Sequence, residues 1–332
     1  MLRKLLTLGF LIPLLDPTEL SFAPAADATW TTSFDLETTL GGGELTVTMG
    51  GQDVPPMYLP KIEITSEETT RIATHETVEA AGDDGALILL RRFDVARRAR
   101  SGELVQAGEV ADSWNETEDS PLELRTVKFT RRAGESEFTA ALGDDDETPI
   151  VTLTELSALL PGALLLPDEA VEVGDSWTLE GQRLVDLFDP AGDLGFPERE
   201  DEQGIERTTD GKLIAKLERL DAQGLATITL EGVLTQEWKR EADLTQVPVT
   251  DGTGEEVNSY ELEVAGTLLF DVEQGRSRSL DLEGTGTFTV RTVRDPDLPG
   301  ATYESLMVMD ATYRLAGETG TPVEATEAGS SK

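Results

Sequence analysis

The chain of 332 residues contains no cysteine. It therefore has no disulfides, no thiol nucleophile, no Cys-x-x-Cys redox motif and no lipobox cysteine to acylate. Histidine is almost absent too. His75 is the only one, in an alternating run with threonine neighbours. With no G-x-S-x-G elbow and no cysteine beside it, a serine-hydrolase triad or a zinc site has too few parts. Aromatics are 5% of the chain, few for the ring platforms that sugar sites favour. Phosphate-cradling loops and dinucleotide fingerprints are missing, so no cofactor and no metal is expected. The longest later apolar run, residues 159–166, contains Pro161 and Gly162. It is far shorter than the roughly 20 residues a membrane span needs.

Positive charge is scarce as well. There are 27 Lys and Arg against 65 Asp and Glu, a net charge of -38. Such a chain repels nucleic acid and anionic membrane surfaces, so neither is expected as a partner. Two acidic runs, residues 144–147 and 251–256, are hydrophilic turns that could offer oxygens to a hard cation. Neither has the D-x-[DN]-x-[DN]-G spacing of a calcium loop.

What is present begins with an export signal. Arg3 and Lys4 precede an apolar stretch over residues 5–15, and small residues follow. Ala23-Pro24-Ala25 and Ala26-Asp27-Ala28 are alternative A-x-A cleavage sites. The expectation is a signal peptide over residues 1–28 and an exported chain, periplasmic or extracellular. It would carry no lipid anchor and no transmembrane segment.

The rest reads mainly as β-strand. Alternation rich in Thr, Val, Ile and Leu recurs at residues 33–40, 44–49, 61–65, 68–78, 86–95, 122–132, 137–142 and 150–153. It resumes at 212–219, 226–237, 260–272, 278–293 and 306–315. Gly41-Gly42-Gly43, residues 82–85 and residues 143–146 read as turns. Gln274-Gly275 reads as a hairpin turn and residues 250–256 as a looser one. Between the two sets of strands, residues 154–160 predict a short helix stopped by Pro161. Residues 182–188 predict a second helix, stopped by Pro190. This divides the chain into a β-rich half (29–153), a helical and loop insert (154–206), a hairpin half (207–316) and a disordered tail (317–332). The fold expected is mainly β: large, curved, half-barrel-like antiparallel sheets with a short helical insert over the dry face.

The segment Leu166-Pro167-Asp168-Glu169-Ala170-Val171-Glu172-Val173-Gly174-Asp175-Ser176-Trp177 resembles the "LP…V.VGDSW" stretch of uncharacterised secreted bacterial proteins. In those it precedes a hairpin of the form seen here over residues 266–284. Such proteins are broadly similar to the lipoprotein-carrier type of half-barrel. Over residues 160–293 the resemblance implies a curved antiparallel sheet closed by helices. The plain reading of the motif itself is a Gly174-Asp175 turn that leads Trp177 into the core, with Val171, Val173 and Leu179 at alternate positions on the same apolar face.

Two sets of residues are candidates for binding. Leu159, Leu160, Leu164, Leu165, Leu166, Leu184, Leu187 and Phe188 would line the lid side of a site for a lipid or other apolar ligand, or for a partner segment. Arg91, Arg97, Arg98 and Arg125 belong to a basic cluster, with Arg92, Arg100, Lys128, Arg131 and Arg132, that could seat an anionic group. Cross-strand pairing with the surplus acids is the other reading. The function expected is a non-enzymatic exported carrier or binding protein. The alternatives are an envelope protein pairing with another through sheet edges, or a hydrolase of unfamiliar type.

Overall fold

The computed structural model describes residues 17–79, 86–135, 137–143, 151–197, 205, 207–243, 253–294 and 302–321. The chain forms one open antiparallel sheet of 13 strands. The first wing comprises β1 (Thr29–Met49), β2 (Gln52–Asp53), β3 (Ile62–Glu79), β4 (Leu87–Gln106), β5 (Glu109–Asp119), β6 (Thr126–Arg131) and β7 (Thr139–Leu142). The insert carries α1 (Pro161–Leu164), β8 (Ser176–Leu179) and α2 (Gln182–Phe188). The second wing is β9 (Arg207–Leu220), β10 (Leu225–Asp243), β11 (Thr253–Asp271), β12 (Arg276–Arg294) and β13 (Tyr303–Gly320). The order across the sheet is β7-β6-β4-β3-β1-β13-β12-β11-β10-β9-β8, with β2 on β1 and β5 on β4. The first and last long strands, β1 and β13, pair in register over most of their length. That pairing fuses the two halves into one sheet.

Alternation sets the inner face. Trp30, Phe34 and Leu36 on β1, Ile72 on β3, Phe93 on β4, Leu268 and Phe270 on β11 and Leu282 on β12 are buried. The insert lies over them. Gly162 packs so closely on β12 that a β-carbon there would stand 2.7 Å from the Ser277 β-carbon. The covering is fastened by a buried ion pair. Arg91 Nε donates to Glu76 Oε1 at 2.5 Å, and Arg91 is 1% exposed. Its Nη1 and Nη2 donate to the carbonyls of Ser157 and Ala158, both at 2.8 Å, and its guanidinium stacks on Phe129. Tyr313 Oη donates to the Leu187 carbonyl at 2.5 Å.

Several expectations are corrected. Gly41-Gly42-Gly43 is no turn: β1 runs through it, with Gly42 at φ +82° and Gly43 at φ +145°. The two positive φ values allow an extra residue opposite β13, a bulge that bends a strand which would otherwise run straight. Pro161 begins α1 instead of ending a helix, because at the first helical position its missing N–H leaves no partner unsatisfied. Residues 151–154 form a single 3₁₀ turn. β5 carried no alternation, since most of its residues are exposed on both faces. β13 continues to Gly320, past the expected start of the tail, with Gly317 leaving room for the Phe34 ring. Residues 144–150, 251–252 and 322–332 lie outside the described residues, and with them one acidic run, part of the other, and most of the tail.

Residues 17–28, inside the expected signal peptide, pack onto the body. Leu20 is 2% exposed. Thr18 pairs with Val171, Ala23 N–H donates to the Gly275 carbonyl, and Asp27 N–H donates to the Val78 carbonyl. Phe22 meets Trp30 edge to face at 6.5 Å between centroids.

Candidate functional site

A cavity of about 1170 Å³ lies between the insert and the middle of the sheet's inner face. One wall comes from β1, β3 and β4 through Leu36, Leu40, Glu68 and Arg100. The floor of the other wing is a run of rings. Trp238 on β10, Tyr260 on β11 and Phe288 on β12 contribute, and Phe188 at the end of α2 leans over them. Centroid separations are 4.6 Å for Tyr260–Phe288, 5.6 Å for Trp238–Phe288 and 5.9 Å for Trp238–Tyr260. Phe188 lies 6.5 Å from Tyr260 and 5.6 Å from the buried Tyr313. A chain with only ten Phe, four Trp and four Tyr thus gathers five of them at one place.

The polar lining is nearly self-neutralised. Arg100 Nε stands 3.1 Å from Glu68. Arg98 pairs with Glu118 at 2.7 Å, donates to the Pro197 carbonyl and stacks on Phe196. Arg183 pairs with Asp168. Two charges differ. Arg207 lies over the Trp238 ring at 5.6 Å and makes no ion pair among the described residues. Asp189, at the end of α2, is exposed to the cavity, with protein groups around its carboxyl. Desolvation pushes its carboxyl up to about 6. Glu68, Asp186 and Asp193 add to the rise, and Arg207 opposes it. Asp186 is also raised by burial, against a hydrogen bond from Ser157 and the charge of Arg91. The Tyr260 hydroxyl is raised by burial. No group of three or more metal-ligating side chains forms among the described residues.

The lid residues fall into two groups. Leu164 and Phe188 line the cavity. Leu160, Leu165, Leu166, Leu184 and Leu187 are core, with Leu165 and Leu184 fully buried, and Leu159 is half-buried. The arginines do not converge. Arg91 is sealed in its pair with Glu76. Arg97 is exposed and pairs with Asp119 at 2.6 Å. Arg125 lies just before β6, where its carbonyl accepts the Phe93 N–H. Arg98 alone of the four reaches the cavity. The acids of β5 lie in register with this stretch, Arg97 opposite Asp119, Arg98 opposite Glu118 and Arg100 opposite Glu116. Arg97 and Arg98 are thus paired strand against strand, while Arg91 and Arg100 pair with Glu76 and Glu68 on β3.

The VGDSW segment is a connection. Gly174 N–H donates to the Leu217 carbonyl, and Leu217 N–H to the Asp175 carbonyl, which aligns β8 on β9. Trp177 is half-buried, its Nε1 donating to the Leu165 carbonyl at 3.0 Å, while Val173 is 45% exposed instead of sharing an apolar face. His75 lies half-buried on β3, opposite Thr31 and Arg92. The ring floor and Asp189 were missed from sequence. Trp238, Tyr260 and Phe288 stand far apart in the chain, and only strand register collects them.

Fold and site define a class: an open, curved antiparallel sheet whose insert roofs a ligand-sized cavity. No family model and no curated protein matches the chain. Among solved structures, the crystal structure of Pseudomonas aeruginosa OccK7 (OpdD) aligns at 9% identity over 87% of this chain and 99% of that one. The TM-score of 0.23 is too low to carry an argument. No helix among the described residues is long and apolar enough to cross a membrane.

Proposed function

We propose that the protein is an exported, non-enzymatic carrier or binding protein that holds an amphipathic ligand, or a segment of a partner, between its sheet and its insert. The observation that carries this is the cavity of about 1170 Å³, well above the roughly 300 Å³ at which ligand pockets begin. Its ring floor offers apolar burial at about 25 cal/mol per Å², and the charged rim gives orientation. The resemblance to lipoprotein-carrier half-barrels and the leader-like N-terminus point the same way. Edge pairing with an envelope protein is an alternative reading: β7 and β8 have only four residues each and are poor templates for another strand, but the 11-residue β5 pairs with β4 alone and leaves its other edge open.

Native mass spectrometry of the purified protein should detect a co-purified small molecule, and the neutral fluorophore N-phenylnaphthylamine should bind. Ser66→Trp, which fills the cavity from β3, should abolish both without lowering the melting temperature. Absence of binding in the parent chain defeats the reading. A second reading, a hydrolase, draws on one observation: Asp189 is held protonated up to about pH 6 among other carboxyls. Turnover of nitrophenyl glycosides or esters that disappears in Asp189→Asn would replace the carrier with an enzyme.

A further inference from the structure

The geometry points to an organic cation as the ligand: an ammonium or guanidinium group attached to an apolar body, seated on the rings beside Asp189. This rests on the cavity reading and specifies its ligand.

Three observations converge. First, Asp189 is a cavity carboxylate without a close partner among the described residues, as is the exposed Glu155. Glu68 is held by Arg100, Asp186 by Ser157, and Asp193 accepts the Gly195 N–H. No hydrogen-bond donor among the described residues reaches the Asp189 carboxyl. The groups around it are Glu68 on β3, Asp186 on α2, Asp193 beyond α2, Arg207 on β9, and the phenols of Tyr260 on β11 and Tyr313 on β13. With Glu68 spent on Arg100, Asp186 and Asp193 beside Asp189 outweigh Arg207 and leave a negative field. Second, Trp238, Tyr260, Phe288 and Phe188 line the cavity at this place, and aromatic rings attract cations. Third, the protein shows what the seat accepts. The Arg207 guanidinium already lies over Trp238, within electrostatic reach of Asp189. A ligand cation can take its place, since Arg207 has no ion pair among the described residues to give up. The other three cavity arginines are neutralised by Glu118, Glu68 and Asp168. The net charge of -38 steers cations toward the molecule and repels anions.

The test is calorimetric titration with decyltrimethylammonium, decanol and decanoate, each below its micelle concentration. About 0.15 M salt screens diffuse attraction to the acidic surface. The cation should bind at least about tenfold more tightly than decanol, a difference of about 1.4 kcal/mol, and decanoate most weakly. Asp189→Asn should erase the cation's advantage, although it changes the overall charge by only one. Arg207→Ala should tighten cation binding by vacating the seat. Acidification from about pH 7.5 to about pH 5, across the titration of Asp189 at about 6, should loosen the cation in the parent chain and not in Asp189→Asn. Equal binding of the three probes overturns the cation assignment and leaves the carrier standing. Preference for decanoate that is lost in Arg207→Ala overturns it in favour of an anion site. Failure of all three to bind removes both readings. If Asp189→Asn does not fold, Arg207→Ala at the cavity rim still decides the sign.

Discussion

The two ends of the sheet's inner face are built from the same strands and behave differently. At one end Phe34, Ile72, Phe93, Leu213, Leu268 and Leu282 are sealed from solvent. Toward the other, Leu40, Glu68, Arg100, Trp238 and Phe288 border open space. Length explains the difference. A 19-residue strand such as β10, β11 or β12 reaches about 60 Å at roughly 3.3 Å per residue. The 7-residue α2 covers about 10 Å at roughly 1.5 Å per residue. The strands outrun α2, and the cavity lies along this short cover, lined by Arg183, Val185, Asp186 and Phe188. The packed end supplies stability, and the open end supplies a place to bind.

The largest expected effect tests the packed end. Arg91→Ala leaves Glu76 buried without its partner and frees the Ser157 and Ala158 carbonyls. The expected cost is about 3–5 kcal/mol, measured by urea denaturation. Replacing both members, Arg91→Met with Glu76→Gln, should recover much of it. A loss under about 1 kcal/mol would show that the pair does not fasten the insert.

Next comes the N-terminal strap. Leu20→Ala should cost about 2–5 kcal/mol, and a chain beginning at Thr29 should be less stable than one beginning at Pro17. N-terminal sequencing of exported material decides whether residues 17–28 stay with the fold. Equal stability of the two chains would make the strap dispensable and restore cleavage near Ala25 or Ala28.

A smaller, pH-dependent effect belongs to the open end. The Asp189 carboxyl is raised from 3.8 to about 6 in the folded chain. The fold therefore binds its proton more tightly than the unfolded chain does. This contributes stability that is fully present below about pH 4 and is lost as the pH rises through about 6. The difference in melting temperature between the parent chain and Asp189→Asn should change across that window and be flat above about pH 7. A flat difference throughout would show that Asp189 is not desolvated.

The smallest effect lies on the outside. Arg97→Ala removes an exposed, solvent-screened pair with Asp119 and should leave the melting temperature essentially unchanged, without altering probe binding. A large loss of binding would restore the arginine cluster as a ligand seat.

How much was legible follows from which signals are local. Strands with one wet and one dry face announce themselves by alternation, as residues 68–78 and 226–237 do. The seven apolar and polar residues of α2 were equally readable, and its bounds agree with the expected helix. β5 was invisible because both of its faces are wet. The Gly41–Gly43 bulge looked like a turn because glycine permits either, and only the partner strand decides which forms. Pro161 can end or begin a helix, and the backbone of Leu160 at φ -79°, ψ 160° settled it.

For the site, sequence marked the insert as the cover and Phe188 and Leu164 as its lining. It could not tell that Leu165 and Leu184 would be sealed, since core leucines and lid leucines have the same chemistry.

The sequence by itself determined the strand-rich composition of the chain, its acidity, the place of the insert and the absence of thiol chemistry. These depend on residue type and on period, which are written along one dimension. Tertiary structure alone decided that β1 closes onto β13, that Arg97 and Arg98 find the acids of β5, and that Trp238, Tyr260, Phe288 and Asp189 meet. Those outcomes depend on register between distant strands and on how far a short insert reaches along long ones, because side chains remote in sequence acquire a common environment only when the backbone brings them together.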